Sequence, residues 1–527
     1  MTGDDISHRK SERTPMRPEI VGSGESKETK LARGSILLIL QGIIVTALGL
    51  VGFAFVARIL TLEEMGSVVG LTLVSGLLIQ LTDLGLSYAV AKHVAESRGK
   101  GEDYSRFIVA ALASKALFGA VGGGAVVLFA EGLSTFLLKS PAYATAFQLV
   151  GVDVALSILN LVLTNSLLGL NSISTMVTLN ILSAIVRPVV AIVSLVSGLG
   201  LPGYVLSWLL ADLVFSLGGL LFLLRGRHVR LLGLRELSST LGQLLSFSWP
   251  LYLSGLVQYF YSILDRSVLL ALLPLAEVGV YNVAKTAFGV IMIVPSAISQ
   301  ALLPYYAEQY GSNQHDAIRN GIKAASRYVS LMYAPVGFGA MAVATATISL
   351  LAGTSYAGGD IILATLSLFS VLTSSGAAFG GIMLSYGMTG SILLIDLISI
   401  ACGLLSSLVL VPPLGSLGIA LTAGLMMVIP LLLTIAMMRR RIEVELDLRA
   451  ILKSLTAAAI MAAVVGLVQV VYFDKYLLPV YMAIGALTYF LLLKILRATT
   501  PEDYRLARQV LGERMAFLVD IAERLLL

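Results

Sequence analysis

The sequence predicts an all-α polytopic membrane protein. It has fourteen transmembrane helices, built as two six-helix lobes that repeat one another around a central cavity, plus two extra C-terminal helices. Three observations carry this. The 527 residues are 57% hydrophobic and only 13% charged, with mean hydropathy +0.91, whereas a soluble domain carries about 25% charge. The apolar runs are continuous, long enough to span a ~30 Å hydrocarbon core, and show no β-barrel alternation. A short polar turn, ARILTLEEMG at 57–66, returns as LALLPLAEVG at 270–279, with Leu60, Leu62, Glu64 and Gly66 matched by Leu273, Leu275, Glu277 and Gly279 at an offset of 213 residues.

The elements follow in order. Residues 1–30 are polar without an apolar core and read as a disordered cytoplasmic tail, not a signal peptide. The N-lobe, 31–224, holds spans at 34–57, 65–91, 107–130, 142–170, 174–197 and 200–224. A basic cytoplasmic linker, 225–241, follows. The C-lobe, 242–438, holds spans at 242–273, 276–306, 324–352, 361–386, 389–411 and 415–438. Spans 13 and 14, at 451–472 and 476–497, lie in a 439–497 segment outside the repeat. The tail 498–527 opens on helix-start residues and reads as an amphipathic helix on the inner surface.

Lys and Arg set the orientation. With the N-terminus inside, the inner links carry sixteen and the outer links three, Arg58, Lys139 and Lys475. Both termini are therefore expected in the cytoplasm, in a multi-pass plasma-membrane protein. The net charge of +5 concerns orientation and lipid head groups, and no nucleic-acid partner is expected. The single cysteine, Cys402, excludes an intrachain disulfide, the four scattered histidines make no metal cluster, and no phosphate-binding GxxxxGK[ST] loop occurs.

The repeated turn opens an outside-to-inside helix in both halves. Thr61 and Glu64 have capping-box spacing, and Pro274 with Glu277 makes the same start. An even number of helices per half keeps the repeats parallel, related about the membrane normal.

Charged residues inside spans mark candidate function, because each costs roughly 2.5–3.5 kcal/mol against lipid at mid-bilayer. The cations are Lys115, Arg187, Arg266 and Lys285; the acids are Asp83, Asp153, Asp212, Asp265 and Asp396. Lys115 and Lys285 have no acid within one turn of their own helix and are the favoured anchors for a substrate anion. Arg187 reads equally as a partner of Asp153 or Asp212, and Arg266 as a cross-helix partner. Polar stripes at helical spacing place Ser254, Gln258, Tyr261 and Asp265 on span 7, Asn282 and Lys285 on span 8, Asn180, Ser183 and Arg187 on span 5, and Asp153, Ser157 and Asn160 on span 4. Each stripe reads either as cavity lining or as an interhelical seam.

At this point the sequence resembles a family. RILTLEEMG, from Arg58 to Gly66, resembles the first hairpin of Wzx-type oligosaccharide-lipid flippases, in the superfamily of MATE exporters and lipid II flippases. LDRSVLLALLPLAEVGVYNVAKTA at 264–287 and VPSAISQALLPYYAE at 294–308 resemble their seventh and eighth helices. The resemblance implies a transporter, not an enzyme, that moves a polyprenyl-(pyro)phosphate-linked oligosaccharide from inner to outer leaflet by alternating access. It implies a cationic cavity for the lipid phosphate, to which Arg58 is added as a further cation. The partners implied are the lipid-linked oligosaccharide, membrane lipids and glycan-assembly enzymes, with the chain itself a monomer. No cofactor is expected, and the coupling ion stays open. Two alternatives remain: a MATE-type drug/cation antiporter, disfavoured by the lack of an acid in 34–57, and a multi-span glycosyltransferase, disfavoured by a first outer link of only a few residues.

Overall fold

The computed structural model describes residues 27–499. Within them the chain is helical, with no strand among the described residues. The tail expected at 1–30 lies outside the described residues apart from its last four, which begin α1, and the amphipathic helix expected at 498–527 lies outside them apart from Ala498 and Thr499.

The first half consists of α1 (Lys27–Ile59), α2 (Leu62–Asp83), α3 (Leu86–Lys100), α4 (Ser105–Leu128), α5 (Ala130–Leu138), α6 (Ala144–Gly169), α7 (Ile173–Val196) and α8 (Gly200–Arg225). The second consists of α9 (Leu234–Leu272), α10 (Leu275–Ile291), α11 (Ile293–Gly311), α12 (His315–Ala342), α13 (Ala344–Leu351), α14 (Gly359–Leu372), α15 (Ile382–Ser385), α16 (Thr389–Leu414) and α17 (Ser416–Met438). Last come α18 (Leu448–Val471) and α19 (Leu478–Ile495). Among the described residues, ten helices are long and apolar enough to cross a membrane, or up to thirteen if each bent pair is one span. The one expected span not among them, 242–273, falls on α9. That helix is 39 residues long, about 58 Å at ~1.5 Å per residue, but too polar to be counted with the rest.

Three spans bend. α10 and α11 meet at 46°, α12 and α13 at 69°, and α14 and the 374–385 segment at 51°. The first bend has a sequence cause. Pro295 offers no N–H to the Ile291 carbonyl, and its ring crowds that carbonyl, so the helix breaks between 291 and 293. The second span breaks at Leu84 and Gly85, both left-handed with φ of 49° and 71°.

The packing repeats between halves. α1 lies on α7, α7 on α8, α8 on α6 and α6 on α4; likewise α9 lies on α16, α16 on α17, α17 on α14 and α14 on α12. The halves meet where the repeated turn begins each second span, α2 against α10. A Cβ on Gly66 would stand 1.9 Å from the Leu275 carbonyl oxygen, and one on Gly279 would stand 2.2 Å from that of Leu62. Residues 62 and 66 are the repeat partners of 275 and 279, so the contact is reciprocal, as a two-fold axis requires. The turn itself is built as its sequence indicates. Thr61 N–H donates to Glu64 Oε2 at 2.9 Å and Glu64 N–H to Thr61 Oγ1 at 3.2 Å. Glu277 instead accepts from Ser416 N–H at 3.2 Å, at the start of α17.

α18 and α19 pack on α12, held at one end by an ionic ladder. Arg319, Lys323 and Arg327, four apart on α12, meet Glu443, Glu445 and Asp447 at 2.9, 3.2 and 3.0 Å. The acids alternate on the strap leading into α18. A helix rises about 6 Å over four residues and an extended chain nearly 7 Å over two, so the ladder stays in register.

Candidate functional site

A polar cavity of about 470 Å³ opens between α1, α2, α7, α8, α9 and α10. Arg187 and Arg266 line it, with Asp212, Asn180, Ser183 and Asn282. The α7 stripe read from sequence is thus cavity lining through Asn180, Ser183 and Arg187. The Arg187 guanidinium lies over the Trp208 ring, 5.2 Å from its centroid. Neither guanidinium has an ion-pair or hydrogen-bond partner among the described residues.

Arg266 is left free because another cation takes its neighbouring acid. Lys285 Nζ sits 2.9 Å from Asp265 Oδ2, and Tyr281 donates to the same oxygen at 2.8 Å. Both expectations for this region are therefore corrected. Lys285 is not a free anchor, since its partner lies across the helix pair rather than along its own helix. Asp265 is buried in that cluster and does not line the cavity.

Lys115 is also corrected. It is fully buried, and its ammonium donates to the Thr82 carbonyl at 2.7 Å and Asp83 Oδ1 at 3.0 Å. It closes the break in the second span, where Ser87 donates to the same carboxylate. Removing it strands a half-buried acid, so Lys115→Ala should lose about 3 kcal/mol of stability, the lower end for breaking a buried pair. The Lys115→Met, Asp83→Asn pair should recover most of that, as read by thermal unfolding in detergent. Equal losses in single and double variants would contradict the pairing.

The remaining site residues separate. Arg58 lies in the last turn of α1, donates to the Leu350 carbonyl, and is not in the cavity lining. Asn282 is there. Asn160 is a seam residue: its Nδ2 donates to the Asp212 carbonyl at 3.0 Å and its Oδ1 accepts from Ser216 at 2.6 Å. Asp212 accepts from Ser157. Asp153 is 3% exposed, and its Oδ1 has no partner among the described residues. Tyr261 donates to the Met426 carbonyl at 2.6 Å, a seam between α9 and α17. Ser254 and Gln258 stand outside the lining.

Sequence reasoning missed the α1 wall, Gly49 and Gly52, and the aromatic wall of Tyr204 and Trp208. The α1 signal was the glycines themselves: a Cβ on Gly52 would lie 2.7 Å from Pro188 Cβ, so α1 and α7 cross closely there. Elsewhere the halves are sealed through α9. Ser248 donates to Leu84 O at 2.8 Å and Tyr252 to Leu81 O at 3.1 Å, while Lys92 lies 3.9 Å above the Phe247 ring centroid.

A second cavity, of about 510 Å³, adjoins the first and is almost wholly apolar. Leu50, Ala287, Pro335, Met461, Tyr481 and Gly485 mark its walls. α1 and α10 line both: Gly49 and Thr286 face the polar cavity, Leu50 and Ala287 the apolar one.

The family described as Polysaccharide biosynthesis protein matches residues 31–309. A probable low-salt glycan biosynthesis flippase, Agl15 of Haloferax volcanii, is 23% identical over 406 residues, covering 75% of this chain and 80% of that protein. Among solved structures, the lipid II flippase MurJ in an inward closed conformation superposes with a TM-score of 0.70 at 14% identity, over 87% of this chain and 98% of that one. An inward-facing multidrug-resistance MATE transporter gives 0.65 at 16% identity, over 77% and 98%. The fold is thus that of the MurJ and MATE transporters, as the resemblance in sequence implied.

Proposed function

The chain belongs to the polysaccharide biosynthesis protein family, and on that premise we propose that it is a flippase, not an enzyme, carrying a polyprenyl-(pyro)phosphate-linked oligosaccharide from the inner to the outer leaflet. The observation that carries this reading is the pair of adjoining cavities. One is polar and holds two guanidiniums without an ion-pair or hydrogen-bond partner among the described residues; the other is apolar. A lipid-linked sugar is an amphiphile with an anionic joint. The phosphate sits between Arg187 and Arg266, whose planar forks suit it, the sugars contact Asn180, Asn282 and the Trp208 and Tyr204 rings, and the polyprenyl tail lies in the groove walled by α18 and α19.

The two halves act as lobes, related about the membrane normal, that rock against each other, with both termini cytoplasmic. The reciprocal Gly66 and Gly279 contact closes one end, and the Ser248, Tyr252 and Phe247 contacts close the other. Opening one while the other holds gives alternating access. The name of the Haloferax relative and the family description support a glycan substrate.

The test is a leaflet-transfer assay in proteoliposomes. The protein should move a fluorescent polyprenyl-pyrophosphate oligosaccharide across the bilayer. It should not move the same glycolipid with a neutral linkage. Export of a cationic dye with no glycolipid transfer would favour the antiporter reading instead.

A further inference from the structure

Two more cavities lie in the second half, apart from the site above. One, of about 380 Å³, is lined by Met292 at the α10–α11 bend, Phe379 and Leu384 from the broken tenth span, and Ile392 and Leu431. The other, of about 480 Å³, is lined by Tyr310, Tyr386, Met388, Ser391 and Arg441. They are neighbours along the same elements. Leu384 and Ile392 face the first, Tyr386 and Ser391 the second, and Phe379, Ile392, Leu431, Tyr386 and Met388 belong to one packed cluster. We infer that the two act as one slot, the first its apolar interior and the second its polar mouth.

The mouth is built for an anion at a membrane surface. The Arg441 guanidinium has no ion-pair or hydrogen-bond partner among the described residues. Nearby Arg319, Lys323 and Arg327 are all taken by the acids of the 443–447 strap, whereas Arg441 is left without an acid. The Tyr310 and Tyr386 rings lie with centroids 4.4 Å apart, and His315 Nδ1 is 3.2 Å from the Tyr386 hydroxyl. Tyrosines whose rings pack while their hydroxyls stay wet belong at head-group depth. The mouth lies on the Arg-rich side, beside Arg439 and Arg440, which the positive-inside rule assigns to the cytoplasm.

We propose that this slot binds an anionic phospholipid of the cytoplasmic leaflet. Its phosphate meets Arg441 beside the two tyrosines, and an acyl chain enters the 380 Å³ cavity between the bends of the eighth and tenth spans. A lipid seated there props both bends, so the C-lobe's shape depends on the charge of the surrounding membrane.

The test uses the full chain in phosphatidylcholine nanodiscs, with and without phosphatidylglycerol, read by native mass spectrometry of retained lipid. Phosphatidylglycerol should be retained over phosphatidylcholine. Arg441→Gln should weaken that retention about fivefold, the value of one cation near an anionic surface, and Arg441→Lys should restore most of it. Ile392→Trp, which fills the apolar end, should also release the lipid with Arg441 intact. Unfolding temperatures in phosphatidylcholine alone serve as the folding control. Equal retention in wild type and Arg441→Gln would overturn the proposal. So would displacement of the lipid by inorganic phosphate alone, which would mark a free-anion pocket.

Discussion

Replacing Arg187 or Arg266 with Gln should lower glycolipid transfer by about ten- to a hundredfold each, since a bond to a charged group is worth ~1.5–3 kcal/mol, and the double variant should be inactive. Protein levels should hold. Neither guanidinium makes an ion pair or hydrogen bond among the described residues, so neither loss breaks a direct contact with an acid. Arg187 gives up its stacking on Trp208, about 0.5–1 kcal/mol at an accessible site, and its charge near Asp153 and Asp212. Arg→Lys should keep part of the activity, because charge survives while the planar fork does not. Lys285→Ala behaves differently. It strips the buried Asp265 of its partner at 2.9 Å, so lost transport there would accompany lost folding. Full transport in the Arg187→Gln, Arg266→Gln variant would remove the phosphate anchor from the account.

Substituting Gly66 or Gly279 should be equally severe for a different reason. The obstacles are backbone oxygens, 1.9 and 2.2 Å from the added Cβ, and a carbonyl within a helix has no rotamer to yield. Even Ala forces α2 and α10 apart, and Leu more so. We expect Gly66→Leu and Gly279→Leu to block transport and hold that end of the cavity open. On a Cys402→Ser background, Thr72→Cys, which lines the cavity, should then react faster with a thiol reagent added outside. Because the contact is reciprocal, the two single variants should match. Normal transport in the Gly66→Ala, Gly279→Ala double variant would contradict the role of this contact.

Much of the fold was legible because its signals are local. Apolar runs, the Thr61–Glu64 cap and the Pro295 break are each written within a few residues, and the offset repeat located the two glycines that touch. The site was only partly legible, because charge pairing in a bundle runs between helices. Spacing along one helix shows whether an acid stands three or four residues away; it is blind to Asp83 reaching Lys115 across the bundle, or Asp265 reaching Lys285. Those two pairs remove the cations that looked free and release Arg266, which looked bound. Arg187 was ambiguous for the same reason: its depth was readable, but whether a carboxylate or a ring met it was not. The apolar groove was invisible for another reason. It is enclosed by α1, α10, α12, α18 and α19, which only the tertiary fold brings together.

The central claim is that the phosphate joint of a lipid-linked sugar sits between Arg187 and Arg266. The most direct measurement places a photoreactive residue at Asn180, on the cavity wall beside Arg187, and illuminates the reconstituted protein with a radiolabelled polyprenyl-pyrophosphate oligosaccharide. The account predicts a crosslink that is competed by unlabelled glycolipid and disappears in the Arg187→Gln, Arg266→Gln variant. A crosslink that persists undiminished in that variant, or none at Asn180 while transfer proceeds, would contradict it.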